Sequence, residues 1–115
     1  MEKILKLRCC RKNTIEIIEG RKTVEYRNYS DFYVNKLAIL PATDKKFVPK
    51  PYKILHLFCG NVKDSLFVTC EIKSINLDSY NYFIKNKITP PDGMSEKNLV
   101  FSIEIEKIIQ TNYLK

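Results

Sequence analysis

A chain of 115 residues with 44% hydrophobic and 29% charged side chains is long enough for one ordinary domain with a packed core and too short for two. Three glycines, five prolines and no tryptophan exclude collagen-like and low-complexity classes, and no apolar run approaches the roughly 20 residues of a membrane-spanning helix. Twenty Lys and Arg against thirteen Asp and Glu give a net charge of +7, which suits a polyanionic partner because phosphates attract cations and binding releases counterions.

In chain order, Met1 to Cys10 alternates charged and apolar residues and has no continuous apolar signal segment, so a cytoplasmic protein is expected. Within that stretch Ile4 to Cys9 reads as a strand. Asn13 and Thr14 can cap a short helix through Glu19, with Ile15, Ile17 and Ile18 as its apolar side and Gly20 as its stop. Thr23 to Arg27 alternates again, Val24 and Tyr26 on one face and Thr23, Glu25 and Arg27 on the other. Ser30-Asp31 starts a second helix, whose Phe32, Tyr33, Leu37 and Leu40 recur at helical spacing until Pro41.

Residues 41–51 read as a proline- and lysine-rich loop. Tyr52 to Cys59 is a strongly apolar strand, Gly60-Asn61 begins a turn, and Leu66 to Ile75 is the next strand. Ser79 to Lys87 reads equally as an irregular segment or a short strand. Thr89 to Gly93 is a loop and Leu99 to Ile109 a long final strand. Strands that cluster instead of alternating with helices predict an α+β fold. The expected form is a mixed pseudo-β-barrel of about five to six strands with two or three short helices at its side, one domain over 1–115.

The charge is unevenly placed. Lys3, Lys6, Arg8, Arg11 and Lys12 face only Glu2 in the first twelve residues, and Lys45, Lys46, Lys50 and Lys53 face only Asp44 in 44–53. Sixteen of the twenty cations are Lys, so a lysine-biased composition accounts for the excess as well as a polyanion does. Cys9, Cys10, Cys59 and Cys70 form no C-x-x-C pair, and the lone His56 supplies no zinc spacing. Free thiols packing as small hydrophobes are expected, with no metal and no cofactor.

The octet Gly20-Arg21-Lys22-Thr23-Val24-Glu25-Tyr26-Arg27 is the most informative stretch. Gly20 can take the positive φ that ends a helix close to the following strand. Lys22 then emerges at the mouth of the strand, and Glu25 and Arg27 share one face of it. Two cations with a carboxylate can grip a phosphate or sugar while the carboxylate orients a cation or reads a base edge. The plainer reading is an ion-pair ladder with Glu25 flanked by Lys22 and Arg27.

Gly20, Lys22, Glu25 and Arg27 match the G-x-K-x-x-E-x-R signature of ASCH domains, in the PUA-like superfamily, and the chain resembles short phage- and bacteria-borne ASCH-like proteins. Ile4 to Leu7 resembles the first strand, Asn13–Glu19 with Gly20-Arg21-Lys22 the helix and its end, and Phe32, Tyr33, Asn35, Lys36 and Leu37 the following aromatic and polar run. Val68 to Ile72 and Val100 to Ile109 fit in order as late strands. The resemblance implies a PUA-like pseudo-barrel with a cleft lined by Lys22, Glu25 and Arg27 that binds RNA, single-stranded nucleic acid or a nucleotide. Two departures stand out. Phe58-Cys59-Gly60-Asn61 keeps only Gly60 of a polar run common in the short relatives. Glu25 occupies the position at which ASCH-type amidohydrolases carry a nucleophilic Thr.

A non-catalytic binding module is therefore the leading expectation. Lys22, Glu25 and Arg27 form its site, Arg21, Lys45, Lys46 and Lys50 add attraction at the rim, and Tyr29, Phe47 and Tyr52 can stack on unpaired bases. The protein is expected as a monomer without a membrane partner. Two alternatives remain. One is a small amidohydrolase or ribonuclease with Lys22 as base, Thr23 or a water as nucleophile and Glu25 or Glu71 as partner. The other is a phage-borne inhibitor that turns a basic face toward a protein target.

Overall fold

A computed structural model describes residues 3–39, 47–60 and 64–114. The elements run β1 (Lys3–Arg8), α1 (Arg11–Ile18), β2 (Val24–Asn28), α2 (Asp31–Leu37), β3 (Ala38–Ile39), β4 (Val48–Pro49), β5 (Tyr52–Phe58), β6 (Phe67–Ser79), α3 (Tyr80–Lys85) and β7 (Leu99–Thr111). The fold is α+β, as the clustering of strands predicts. Its main sheet has the order β1-β5-β6-β7-β2, and β3 and β4 form a separate two-stranded ribbon. The main sheet is mixed, because β1 pairs parallel with β5 and β5 pairs antiparallel with β6. Among the described residues no helix is long and apolar enough to cross a membrane.

The chain divides into two compact units whose boundaries fall within β2, β6 and β7. The first comprises Met1–Glu25, Pro51–Ser74 and Glu104–Lys115. In it the β1–β5 register runs from Ile4↔Ile54 to Arg8↔Phe58, which sets Leu5 beside Leu55 and Leu7 beside Leu57. All four leucines are buried, together with Val68, Cys70 and, on α1, Thr14 and Ile17. Burying each leucine contributes about 1.5–3 kcal/mol. Burial pushes the Cys70 thiol up to about 12, with the Glu25 carboxylate adding to the shift. Cys70 is thus an inert packing thiol.

The second unit comprises Tyr26–Lys50 and Ile75–Ile103. Its core is aromatic. Phe83 meets Tyr26 edge-on at 5.8 Å, and Phe101 packs against Tyr29 and Phe47. Leu37, Ala38, Ile75, Val100 and Ile103 complete it.

Three elements differ from the sequence expectation. Helix α1 starts at Arg11, two residues before the anticipated Asn13-Thr14 cap; Cys10 takes the N-cap position, and the Thr14 hydroxyl donates back to the Cys10 carbonyl at 2.8 Å. Helix α2 begins at the expected Ser30 cap, whose Oγ accepts from the Tyr33 N–H, but it stops at Leu37 and not at Leu40. The Leu37 carbonyl there accepts from the Lys50 N–H at 2.8 Å, and Ala38-Ile39 pairs with Val48-Pro49 inside the stretch expected to be loop. Ser79 to Lys87 contains helix α3. The Ser79 Oγ accepts from the Tyr82 N–H, and Phe83 is buried within the unit. Tyr80, Tyr82 and Phe83 favour strands by propensity, and capping with burial overrides it. Leu40, the 41–46 part of the loop and Asn61 of the turn lie outside the described residues.

Candidate functional site

The octet begins at a helix terminus built by backbone geometry. Gly20 has φ +79°, its N–H donates to the Ile17 carbonyl at 3.1 Å, and the Arg21 N–H donates to the Glu16 carbonyl at 2.9 Å. Those two bonds define a Schellman ending, which requires a left-handed residue at the glycine position. The chain therefore leaves α1 in one direction, and the Thr23 carbonyl accepts from the Ile105 N–H at 2.9 Å as β2 begins.

Lys22 and Glu25 come together in the first unit. Lys22 Nζ lies 3.0 Å from Glu25 Oε1, with the Glu25 side chain 4% and the Lys22 side chain 22% exposed. The Cys9 Sγ–H donates to the other carboxylate oxygen at 3.7 Å. Among strand residues a carboxylate this deeply buried persists because a cation and polar hydrogens surround it. In the same unit, the Cys59 Sγ–H donates to the buried Thr14 Oγ1 at 3.4 Å.

Arg27 belongs to the second unit. Its Nη1 donates to the Tyr33 hydroxyl at 2.9 Å, and its guanidinium lies 5.7 Å from the centre of the same ring. Arg21 is held by the carboxylates of Glu16 and Glu19, and the hydrogen bond it donates to Glu19 raises its pKa above the usual arginine value. The Lys50 Nζ donates to the Asn35 carbonyl. Lys45 and Lys46 lie outside the described residues. Among the described residues no group of three His, Cys, Asp or Glu side chains converges as a metal site would.

The second unit also holds a cleft of about 740 Å³ that starts one residue beyond Arg27. Its walls are the β2–α2 junction (Asn28, Tyr29, Ser30), the turn at Pro91–Met94, Lys97 and Asn98, and the start of β7. Tyr29 is 40% exposed, and Phe101 supports its ring at 5.8 Å with the planes 25° apart. The Tyr29 N–H donates to the Leu99 carbonyl at 3.3 Å, tying one wall to another. Another part of the lining is a tight turn. Asn98 Oδ1 accepts from the Ser95 N–H at 2.8 Å and from its hydroxyl at 3.0 Å, and the Asn98 N–H donates to the Ser95 carbonyl at 3.0 Å. Gly93 turns the chain at φ +81°.

This cleft offers an aromatic platform, amide groups, a carboxylate on Asp92 and an ammonium on Lys97. Of these, sequence reasoning singled out only Tyr29. Asp92, Lys97 and Asn98 stand in a segment that reads as loop, and the one local signal is Ser95 three residues before Asn98, a spacing that closes turns on themselves. No family model, curated protein or solved structure matches the chain.

Proposed function

We propose that the protein is a non-catalytic module that binds single-stranded nucleic acid or a nucleotide, of the ASCH-like kind its octet resembles, acting in the cytoplasm. The observation that carries the reading is the cleft of the second unit. A volume of about 740 Å³ is in the range of small-ligand sites, and its lining combines one exposed tyrosine with amides and a lysine. An aromatic face takes an unpaired base by stacking, polar groups take its edge, and a lysine takes phosphate. The net charge of +7 draws a polyanion toward it.

Catalysis is the less supported reading. Lys22 Nζ is engaged by the buried Glu25 carboxylate at 3.0 Å, which accounts for both side chains as a structural ion pair. The test is fluorescence anisotropy with a labelled, mixed-sequence single-stranded RNA. Tyr29→Ala is expected to weaken binding on the order of tenfold, because stacking on one aromatic contributes about 1–3 kcal/mol per base. Unchanged affinity in that variant removes the cleft from the reading. Absence of RNA binding by the parent protein, together with co-purification of a protein target, favours an inhibitor.

A further inference from the structure

The cleft's polar groups are not interchangeable. The Ser95 backbone N–H can only donate, so the Asn98 side-chain atom that faces it at 2.8 Å must be the oxygen. The Ser95 hydroxyl donates to the same oxygen at 3.0 Å. Asn98 therefore has its carbonyl occupied, and its NH₂ is the side-chain donor this lining residue offers. Asp92 is exposed at the turn, lines the same cleft and, when ionised, accepts only. Asn98 and Asp92 thus present one donor and one acceptor-only group with two oxygens, beside Asn28, Ser30 and Lys97 in the same lining.

The four bases answer that pattern differently. Guanine carries two adjacent N–H donors, N1–H and N2–H₂, beside the O6 acceptor. In adenine and cytosine the amino group sits next to a ring nitrogen whose lone pair would face the second carboxylate oxygen. In uracil a single N–H lies between two carbonyls. A bidentate carboxylate therefore rewards guanine and repels the other three, so selectivity arises from both the attraction and the repulsion. Resting on the nucleotide-binding reading above, we propose that the cleft selects guanine. An unpaired guanine stacks on Tyr29, gives N1–H and N2–H to Asp92 and accepts at O6 from the Asn98 amide, while Lys97 meets the phosphate.

The experiment is calorimetric titration of the full chain with GMP, AMP, CMP and UMP at one ionic strength. Ribose and phosphate are common to all four, so a difference reports the base. GMP is expected to bind about tenfold or more tighter than the others, and Asp92→Asn to abolish most of that ratio. Asp92 is exposed, so a thermal melt of the variant is expected to match the parent and separates recognition from folding. Equal affinity for the four nucleotides, or preference for another base, overturns guanine selection and leaves nucleotide binding standing. Binding of none of the four overturns it too, and the wider reading then depends on whether the mixed-sequence RNA binds. Where GMP binds selectively, a short uridine strand with a single central guanosine distinguishes the two sources of the base. Tighter binding than GMP identifies the strand as ligand, and equal binding identifies the free nucleotide; either agrees with guanine selection. Loss of that guanosine without loss of affinity overturns it.

Discussion

The Lys22–Glu25 pair is where a single side chain matters most. Glu25 is 4% exposed and Lys22 keeps 22% of its side chain in water, so the pair lies between a surface bridge and a fully buried one. Surface pairs contribute about 0–1 kcal/mol, whereas removing one partner of a buried pair costs about 3–5 kcal/mol. Lys22→Ala leaves the carboxylate buried without its counter-charge, and a loss of about 2 kcal/mol in urea unfolding is expected. Adding Glu25→Gln to that variant should restore part of the loss, because an amide needs no cation. No loss in the single variant would place the carboxylate in water. A second residue-scale prediction concerns His56, whose ring stacks near Phe58 and Phe67 and shares a 3.0 Å hydrogen bond with Thr69. Burial lowers its pKa below the usual 6.5, and the Lys6 ammonium lowers it further. The folded state thus favours the neutral ring. That contribution is complete above pH 6.5 and declines as pH falls toward the lowered value, since the unfolded chain then binds the proton first. Urea midpoints at pH 7.5 and about 5.5 should fall less in His56→Gln than in the parent; equal falls in both would remove His56 from the pH response.

At the level of elements, the junction between α1 and β2 depends on one backbone conformation. Gly20 has φ +79°, and a Cβ added there would meet nothing within 4 Å. Any cost of Gly20→Ala is therefore conformational and not steric crowding. A left-handed alanine costs about 1–2 kcal/mol, so a melting temperature lower by several degrees is expected, and an unchanged melt would show that the Schellman ending is dispensable. This junction was legible in the sequence because glycine after a short apolar helix has a local cause. The strands β1, β5, β6 and β7 were legible for a similar reason, since alternation and apolar runs act over a few residues. Alternation also put Glu25 and Arg27 on one face of β2. It could not say that Glu25 would be buried, because the burying partners include Cys9, sixteen positions away. Helix α3 was hidden by its aromatics, whose strand propensity is local while the burial of Phe83 is tertiary. The cleft was hidden more deeply. Asn28–Ser30 and Pro91–Val100 are distant in sequence, and only folding joins them.

For the whole molecule the question is how much of the +7 charge acts on a ligand. Part of the positive charge has acidic partners: Arg21 is held by Glu16 and Glu19, Lys22 by Glu25 and Lys107 by Glu71. In the cleft, Lys97 shares the lining with Asp92. A ligand seated there meets few cations at contact distance, while the remaining lysines act at a distance and are screened over about 10 Å at 0.1 M salt. For single strands each neutralised phosphate contributes about −0.7 to the slope of log K against log salt. Binding through the cleft, with about one to three phosphates engaged, predicts a slope between about −0.7 and −2 from anisotropy titrations spanning roughly 50 to 200 mM salt. A slope steeper than about −4 would mean that six or so cations share the contact. That outcome would move the binding surface from the cleft to the lysine-rich stretches at 1–12 and 44–53, and Tyr29→Ala would then leave affinity unchanged. A slope near zero would remove phosphate from the interaction. The two measurements constrain each other, because a shallow slope with loss of binding in Tyr29→Ala is the pattern that stacking at one aromatic cleft produces and that diffuse attraction to a basic surface does not.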